Sequence, residues 1–471
     1  MSEEAHPAWW KPWNWPWSVW GLVAVLMLAL LPFVVRAFCL SAVPVMAEPF
    51  DMAAFVGDEI PPDENAFTEY HQVHEMRKVL MQGLQQKSAS EPDSRNYDDI
   101  YKGGWEAADD AMRAWLEAHR PALAVWRRGT EKSRALAASP SEMTFETVWG
   151  TSQDLQHVTV LALVDQMRWL HEGNVGEAWK LARAAYRSGG HVSRRGVVIA
   201  GLFSTVIHDM SSEGMQRWAE HPAVTADQLR AGLANVTADF ALYEPESNLL
   251  RTDYVVLRSS LSRPQWAGMM GSNFGTPLID KIVPASVASG FMWMVGEPEL
   301  TIRITRQIVA NQIREVDKPL AERRQLTGSG TILLFDTDPA VTLVSGELDA
   351  KQIDGSVKTS LLAKMVLPAT LQLDAAYMRF RGRQAALEVM LAAQAYRRDK
   401  GEFPESLDAL VPQYLEAVPL DPCDRNGGRI RYRRDSTTNA VVWSAAQDGN
   451  DDDGAVETGK SRTADVGFLL K

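Results

Sequence analysis

Apolar positions along this chain follow three regimes. The first is a continuous block. From Ser18 to Val35, eighteen residues carry no charge, and past Arg36 the apolar character runs on to Leu40. A helix of that length just crosses a hydrocarbon core of about 30 Å, and Pro32 is tolerable near one end of it. Trp9, Trp10, Trp13, Trp15, Trp17 and Trp20 crowd its N-terminal side, where indole rings settle at headgroup level. The pattern predicts an aromatic tail over 1–17 and a single-pass anchor over 18–40. The competing reading is a cleaved signal peptide with Val45-Met46-Ala47 at the cleavage site. The anchor is preferred, because Lys11 is the only base before the block and the block exceeds the usual apolar core of about 7–15 residues. Lys11 and Arg36 flank the span with one charge each, while 37–76 holds acids and neither Lys nor Arg. We read the N-terminus as inside and the large domain as outside.

The second regime has a helical period. Residues 41–65, rich in proline and acid, read as a linker. Helical spacing then runs from Phe67 to Leu84, and the polar stretch 87–96 with Pro92 reads as a loop. Trp105, Ala108, Met112, Trp115 and Leu116 mark a helix that should end before Pro121. Val160 to Leu170 and Val175 to Ala185 predict two helices joined at Gly173-Asn174, an αα-hairpin whose second helix should stop at Gly189-Gly190. Thr225-Ala226-Asp227-Gln228 is a capping box. The run Ile282–Val295 is too short to span a bilayer and reads as a buried core segment. Helix resumes from Ile302 to Ile313, with β character at Thr331–Phe335 and Val341–Val344.

The third regime is mixed. A helix expected from about Leu373 to Lys400, soluble and amphipathic, stops at Gly401 with Pro404 beyond. Leu407, Leu410, Val411, Tyr414 and Leu415 follow, then a turn-rich segment, two β-like pieces (Ile430–Arg433 and Val441–Ser444) and an acidic loop.

Charge and composition narrow the function. The net charge of −12 argues against a nucleic-acid partner, since phosphate backbones are bound through clustered Lys and Arg. Cys39 and Cys423 are too few for a disulfide framework or a four-cysteine zinc site. His71 and His74 lack the intervening Glu of a zincin phrase, and there is no nucleophile elbow, P-loop or dinucleotide fingerprint. The one ligand-site candidate is the loop Asp448-Gly449-Asn450-Asp451-Asp452-Asp453-Gly454. Calcium takes six to eight oxygens, which such a loop can supply. It is not an EF-hand, because position 12 is Gly459.

The C-terminal residues also resemble a known family, the major pseudopilin of type II secretion systems. The likeness is carried by Tyr396, Asp399, Gly401, Phe403 and Pro404, then Leu407, Leu410, Val411 and Pro412, then Pro419, Asp421 and Pro422. Ser444, Asp448, Gly449, Asp465 and Val466 match that family's calcium loop, with Ala446 where it has glycine. The resemblance implies a small antiparallel sheet and a Ca2+ ion, with Asp448 and Asp465 as side-chain ligands and Asp451 or Asp453 as weaker ones. Acids turned inward together would repel one another in a cation-free loop. No peptidase site precedes Arg379, so assembly into a pilus is not implied.

The fold expected is mainly α: an N-terminal transmembrane helix, an α-helical domain over 66–378 and a small α+β pseudopilin-like module over 379–471. The functional reading is a non-enzymatic, calcium-binding scaffold with protein partners, held in a bacterial inner membrane through 18–40 with its large domain periplasmic. The alternative is an anchored enzyme with a carboxylate site in the helical domain.

Overall fold

The helical period is realised through most of the middle of the chain. The computed structural model describes residues 15–57, 59–86, 94–143, 145–263, 285–327, 330–337, 346–367, 369–445, 449–456 and 465–471. In chain order the helices are α1 (Trp17–Ser41), α2 (Met52–Val56), α3 (Ala66–Gln86), α4 (Ser94–Gly103), α5 (Asp110–Glu131), α6 (Phe145–His171), α7 (Val175–Ser193) and α8 (Val198–Glu220). They continue as α9 (Ala226–Asp239), α10 (Glu246–Leu261), α11 (Ala285–Met294), α12 (Glu299–Gln312), α13 (Ala350–Thr359), α14 (Ala363–Val366) and α15 (Thr370–Lys400). Strands β1 (Arg431–Arg434), β2 (Ala440–Ser444) and β3 (Val466–Leu470) form one antiparallel sheet in the order β1-β2-β3.

Two compact units result. The first gathers Met1–Pro49, Leu257–Ile308 and Thr337–Leu367. In it α1 leaves no residue buried, and it is long and apolar enough to serve as a single-pass membrane anchor. The chain just after α1 is held by arginines. Arg303 donates to the carbonyls of Leu40 and Val43, and Arg306 reaches the Met46 carbonyl and the Glu48 carboxylate. The fully buried carboxylate of Glu297 accepts from the hydroxyls of Thr301 (2.7 Å) and Ser360 (2.6 Å). Those bonds offset the cost of burying it.

The second unit gathers Phe50–Val256, Val309–Asp336 and Pro368–Lys471. Helix α7 packs on α6 and α8, α3 packs on α5, and α15 packs on α8, α9, β2 and β3. The α6–α7 turn forms as expected, with Gly173 at φ +74° and Asn174 accepting from the Glu177 N–H. Both halves of the Thr225–Gln228 capping box are made. Helix α15 ends at Gly401 in the left-handed conformation (φ +85°), the usual helix stop. Beyond the Gln384 side chain, every residue from Ala386 to Leu387 and from Val389 to Ala395 is buried. It is therefore a core helix rather than the one-sided amphipathic helix expected. A boundary at 378/379 falls inside it.

Several local expectations give way to packing. Helix α5 runs through Pro121 to Glu131, because Ala122, Leu123, Val125 and Trp126 bury a continuing face; that burial outweighs the roughly 3 kcal/mol a mid-helix proline costs. Helix α7 continues past Gly189-Gly190 to Ser193. These glycines permit close approach: a Cβ would lie 2.6 Å from the Tyr243 hydroxyl at Gly189 and 2.7 Å from the Leu242 Cβ at Gly190. The 41–65 linker contains α2, capped by Asp51. Of Ile282–Val295, residues 282–284 lie outside the described ones; Ala285–Met294 is helical, and Phe291 and Trp293 are exposed rather than core. Thr331–Phe335 gives only an isolated bridge, Leu326↔Phe335, and Val341–Val344 is outside the described residues.

Candidate functional site

The C-terminal module is built on the end of α15. Asp399 accepts from Tyr414 Oη (2.9 Å) and Arg230 Nη1 (2.7 Å), so the helix end is tied to the following segment and to α9. Phe403 is fully buried, and its N–H donates to the Thr437 carbonyl. Sheet and helix meet at Gly382, where a Cβ would lie 2.4 Å from Ser444 Oγ. β2 is buried at every residue and sits centrally, paired through Val442↔Phe468 and Tyr432↔Val442. The third strand, β3, went unforeseen in the pattern of apolar residues.

The turn Pro419-Leu420-Asp421-Pro422 places a fully buried carboxylate under the sheet. Asp421 Oδ1 accepts from the Cys423 N–H (2.9 Å) and from Ser444 Oγ (2.5 Å), and Oδ2 accepts from the Ala445 N–H (2.9 Å). Arg431 on β1 then holds three acids at once. Its Nη1 is 2.6 Å from Asp421, its Nη2 2.6 Å from Asp424 and its Nε 2.8 Å from Asp451. Sequence reasoning missed this residue, although an arginine in a strand beside so many acids is the signal that marks it.

The predicted ligands separate accordingly. Asp451 is occupied, since its Oδ1 accepts from Trp443 Nε1 (2.9 Å) and the Asp453 N–H (3.0 Å) in addition to the Arg431 contact. Asp453 has φ +59°, its carboxylate faces solvent, and its carbonyl accepts from Arg433. Asp448 lies outside the described residues, as do 446–447 and 457–464. Asp465 differs from all of these. It is fully buried, and its Oδ2 accepts from the N–H groups of Gly454 (2.9 Å) and Asp452 (3.1 Å). Its Oδ1 is buried and has no hydrogen-bond partner among the described residues. Burial pushes its carboxyl up to about 6; the two backbone donors oppose that, and the charges of Asp451 and Asp452 add to it. A cation fits that free oxygen chemically. Among the described residues, though, no three His, Cys, Asp or Glu side chains are grouped so as to hold a metal ion, so any remaining oxygens would come from backbone carbonyls and from the segments flanking Asp448.

Two other polar groupings bear on the enzyme alternative. A cleft of about 400 Å³ is lined by Arg127, Lys180, Arg183 and Arg187, with Thr130, Glu131 and Ala184. Its four cations are each ion-paired, two to a carboxylate. Arg127 and Lys180 share Glu177, whose carboxyl is held below its usual range by the Lys180 hydrogen bond foremost, while Arg183 and Arg187 share Asp239. The other grouping is buried. Among the described residues neither oxygen of Glu246 has a hydrogen-bond partner, nor does the Tyr377 hydroxyl, and Arg381 Nη2 stands 4.0 Å from Glu246 Oε2. Desolvation, reinforced by Asp374, drives the Glu246 carboxyl well above the carboxylate range. Asp374 itself is taken by Arg323 at 2.5 Å. Comparison with known proteins adds nothing to these readings: no family model, no curated protein and no solved structure matches this chain.

Proposed function

We propose that this is a single-pass protein of a bacterial inner membrane, with α1 as its anchor and the helical unit on the periplasmic side as a scaffold for protein partners. Its C-terminal residues, similar to the pseudopilin module, would hold Ca2+ at Asp465, with Asp448 as the second side-chain ligand. The observation that carries the calcium reading is the buried, unpartnered Oδ1 of Asp465. An acceptor left unsatisfied in the interior costs roughly 1–3 kcal/mol, and a divalent cation removes that cost. Bound Ca2+ would also join the end of β2 to the start of β3.

The test uses the full chain in detergent, melted with millimolar Ca2+ and with chelator. A ligand at a hundredfold excess over Kd stabilises by about 2.7 kcal/mol, so calcium should raise the melting temperature. Asp465→Asn should melt above the parent in chelator and ignore calcium. Identical parent curves in the two buffers would discard the calcium reading. The anchor is tested separately: carbonate-washed membranes should retain the full-length chain, and a soluble chain starting near Glu48 would show cleavage. The enzyme alternative rests on Glu246; selective labelling of that carboxyl by a small carbodiimide in the native protein would favour it.

A further inference from the structure

The last turns of helix α11 show the solvent apolar side chains on two sides, since Phe291 and Trp293, two residues apart, point nearly opposite ways. Phe291 is 49% and Trp293 38% exposed, and at Gly290 a side chain would meet nothing within 4 Å. Surfaces of this kind belong against something apolar. The structure supplies a neighbour that fixes where they lie. The ring of Trp293 meets Phe33 of α1 edge-on, with centroids 5.2 Å apart and planes at 82°. The Arg36 guanidinium stands 5.0 Å from the Trp293 centroid, and its Nη1 donates to the Trp293 carbonyl at 2.6 Å. Just past α11, Gly296 (φ +97°) lies under Leu40, where a Cβ would come within 3.3 Å of Leu40 Cδ2. The α11 end therefore runs alongside α1 between the levels of Leu40 and Phe33.

Depth follows from helix rise. At 1.5 Å per residue, the uncharged stretch up to Val35 spans about 27 Å, close to the full hydrocarbon thickness. Phe33 then sits about 3 Å inside the boundary; with α1 centred on its own midpoint, Phe33 would be about 6 Å from the bilayer centre. Either way it lies among acyl chains, and so does the part of the Trp293 ring packed against it. Arg36, the charge that closes the span, finds an acceptor in the last turn of α11, where the helix dipole is negative, while its guanidinium covers an indole face.

We infer that α11 is a second membrane-seated element, a short helix lodged in the leaflet at the C-terminal end of α1 with Phe291 and Trp293 among the acyl chains. This rests on α1 being an anchor, so the experiment reports on the two helices independently. Single reporter cysteines go into the full-length Cys39→Ser chain, in which Cys423 is buried: Phe291→Cys, Leu26→Cys in α1, and Val79→Cys on exposed α3 as the aqueous baseline. Each is coupled to a polarity-sensitive fluorophore and reconstituted into phosphatidylcholine vesicles, with and without spin-labelled lipid. Gly290→Cys repeats the α11 measurement with Phe291 and Trp293 intact. Lipid quenching at both α11 positions comparable to that at Leu26, and none at Val79, is the expected result. Quenching at Leu26 alone overturns the proposal and leaves the anchor standing. A blue-shifted but unquenched α11 reporter means that protein, such as a second copy of the chain, covers the helix, and this also overturns it. Loss of quenching at Leu26 as well removes the anchor and the proposal together.

Discussion

Replacing Arg431 by methionine would remove the one cation shared by Asp421, Asp424 and Asp451. The three partners do not weigh equally. The Asp421 side chain is wholly inaccessible, whereas that of Asp451 is 43% exposed. Breaking a buried pair costs about 3–5 kcal/mol because a charge is left uncompensated. Asp421 keeps three other donors, so the low end, about 3 kcal/mol, applies. The exposed Asp451 contact adds less than about 1 kcal/mol. Since β1 pairs only with β2 in this sheet, the loss should appear as local opening. Hydrogen exchange of the β1 and β2 amides, followed by mass spectrometry on the full chain, reads it directly. About 3 kcal/mol corresponds to exchange roughly 150-fold faster. In double variants, Asp421→Asn should recover most of the loss and Asp451→Asn little of it. Equal recovery from the two, or a single-variant change below about tenfold, would refute the assignment of the buried charge to Asp421.

Acid should weaken the helical unit: burial pushes His191 down to about 3 and His119 to about 4. Both stay neutral in the fold while the unfolded chain takes up protons below about pH 6.5, so their contribution falls as pH drops from there, by about 2 kcal/mol per histidine at pH 5; a shift in denaturation midpoint between pH 7 and 5 that is the same in the parent and in a His119→Gln, His191→Gln variant would contradict this. Glu246 acts in the opposite direction. Its raised pKa gives stability that is full below the unfolded value near 4.3 and is lost as pH rises toward the folded one, so Glu246→Gln should enlarge the fall between pH 7 and 5 in the same measurement. Gly382→Ala should lower the melting temperature, because about 1 kcal/mol of helix propensity does not offset overpacking of about 1–3 kcal/mol against Ser444. Gly355→Ala in α13, where nothing lies within 4 Å, should raise it.

What could be read in the sequence was local. The Gly401 stop, the Thr225 capping box and the Gly173-Asn174 turn each depend on residues a few positions apart, and each appears in the structure. The misreadings came where distant packing outranks local chemistry. Pro121 is carried through by the buried face on either side of it, and Gly189-Gly190 serve Tyr243 and Leu242 from another element. β3 is only five residues long and follows a polar stretch, so little alternation announces it. In the site, Asp465 was named from its sequence, but what singles it out, a buried oxygen without a donor, depends on β3 being in place. Arg431 was missed because a strand arginine declares its partners only after three turns have folded around it.

The position of α15 has a consequence for how the protein is made. Helices α8 and α9 each present a surface that α15 covers, and α15 begins at Thr370, long after both have left the ribosome. Its own far contacts include β3, which is synthesised later still. Closing such distant contacts is entropically slow. For much of translation the nascent helices must therefore persist with apolar flanks uncovered, so this protein should depend on a holding chaperone during synthesis more heavily than its finished structure would indicate.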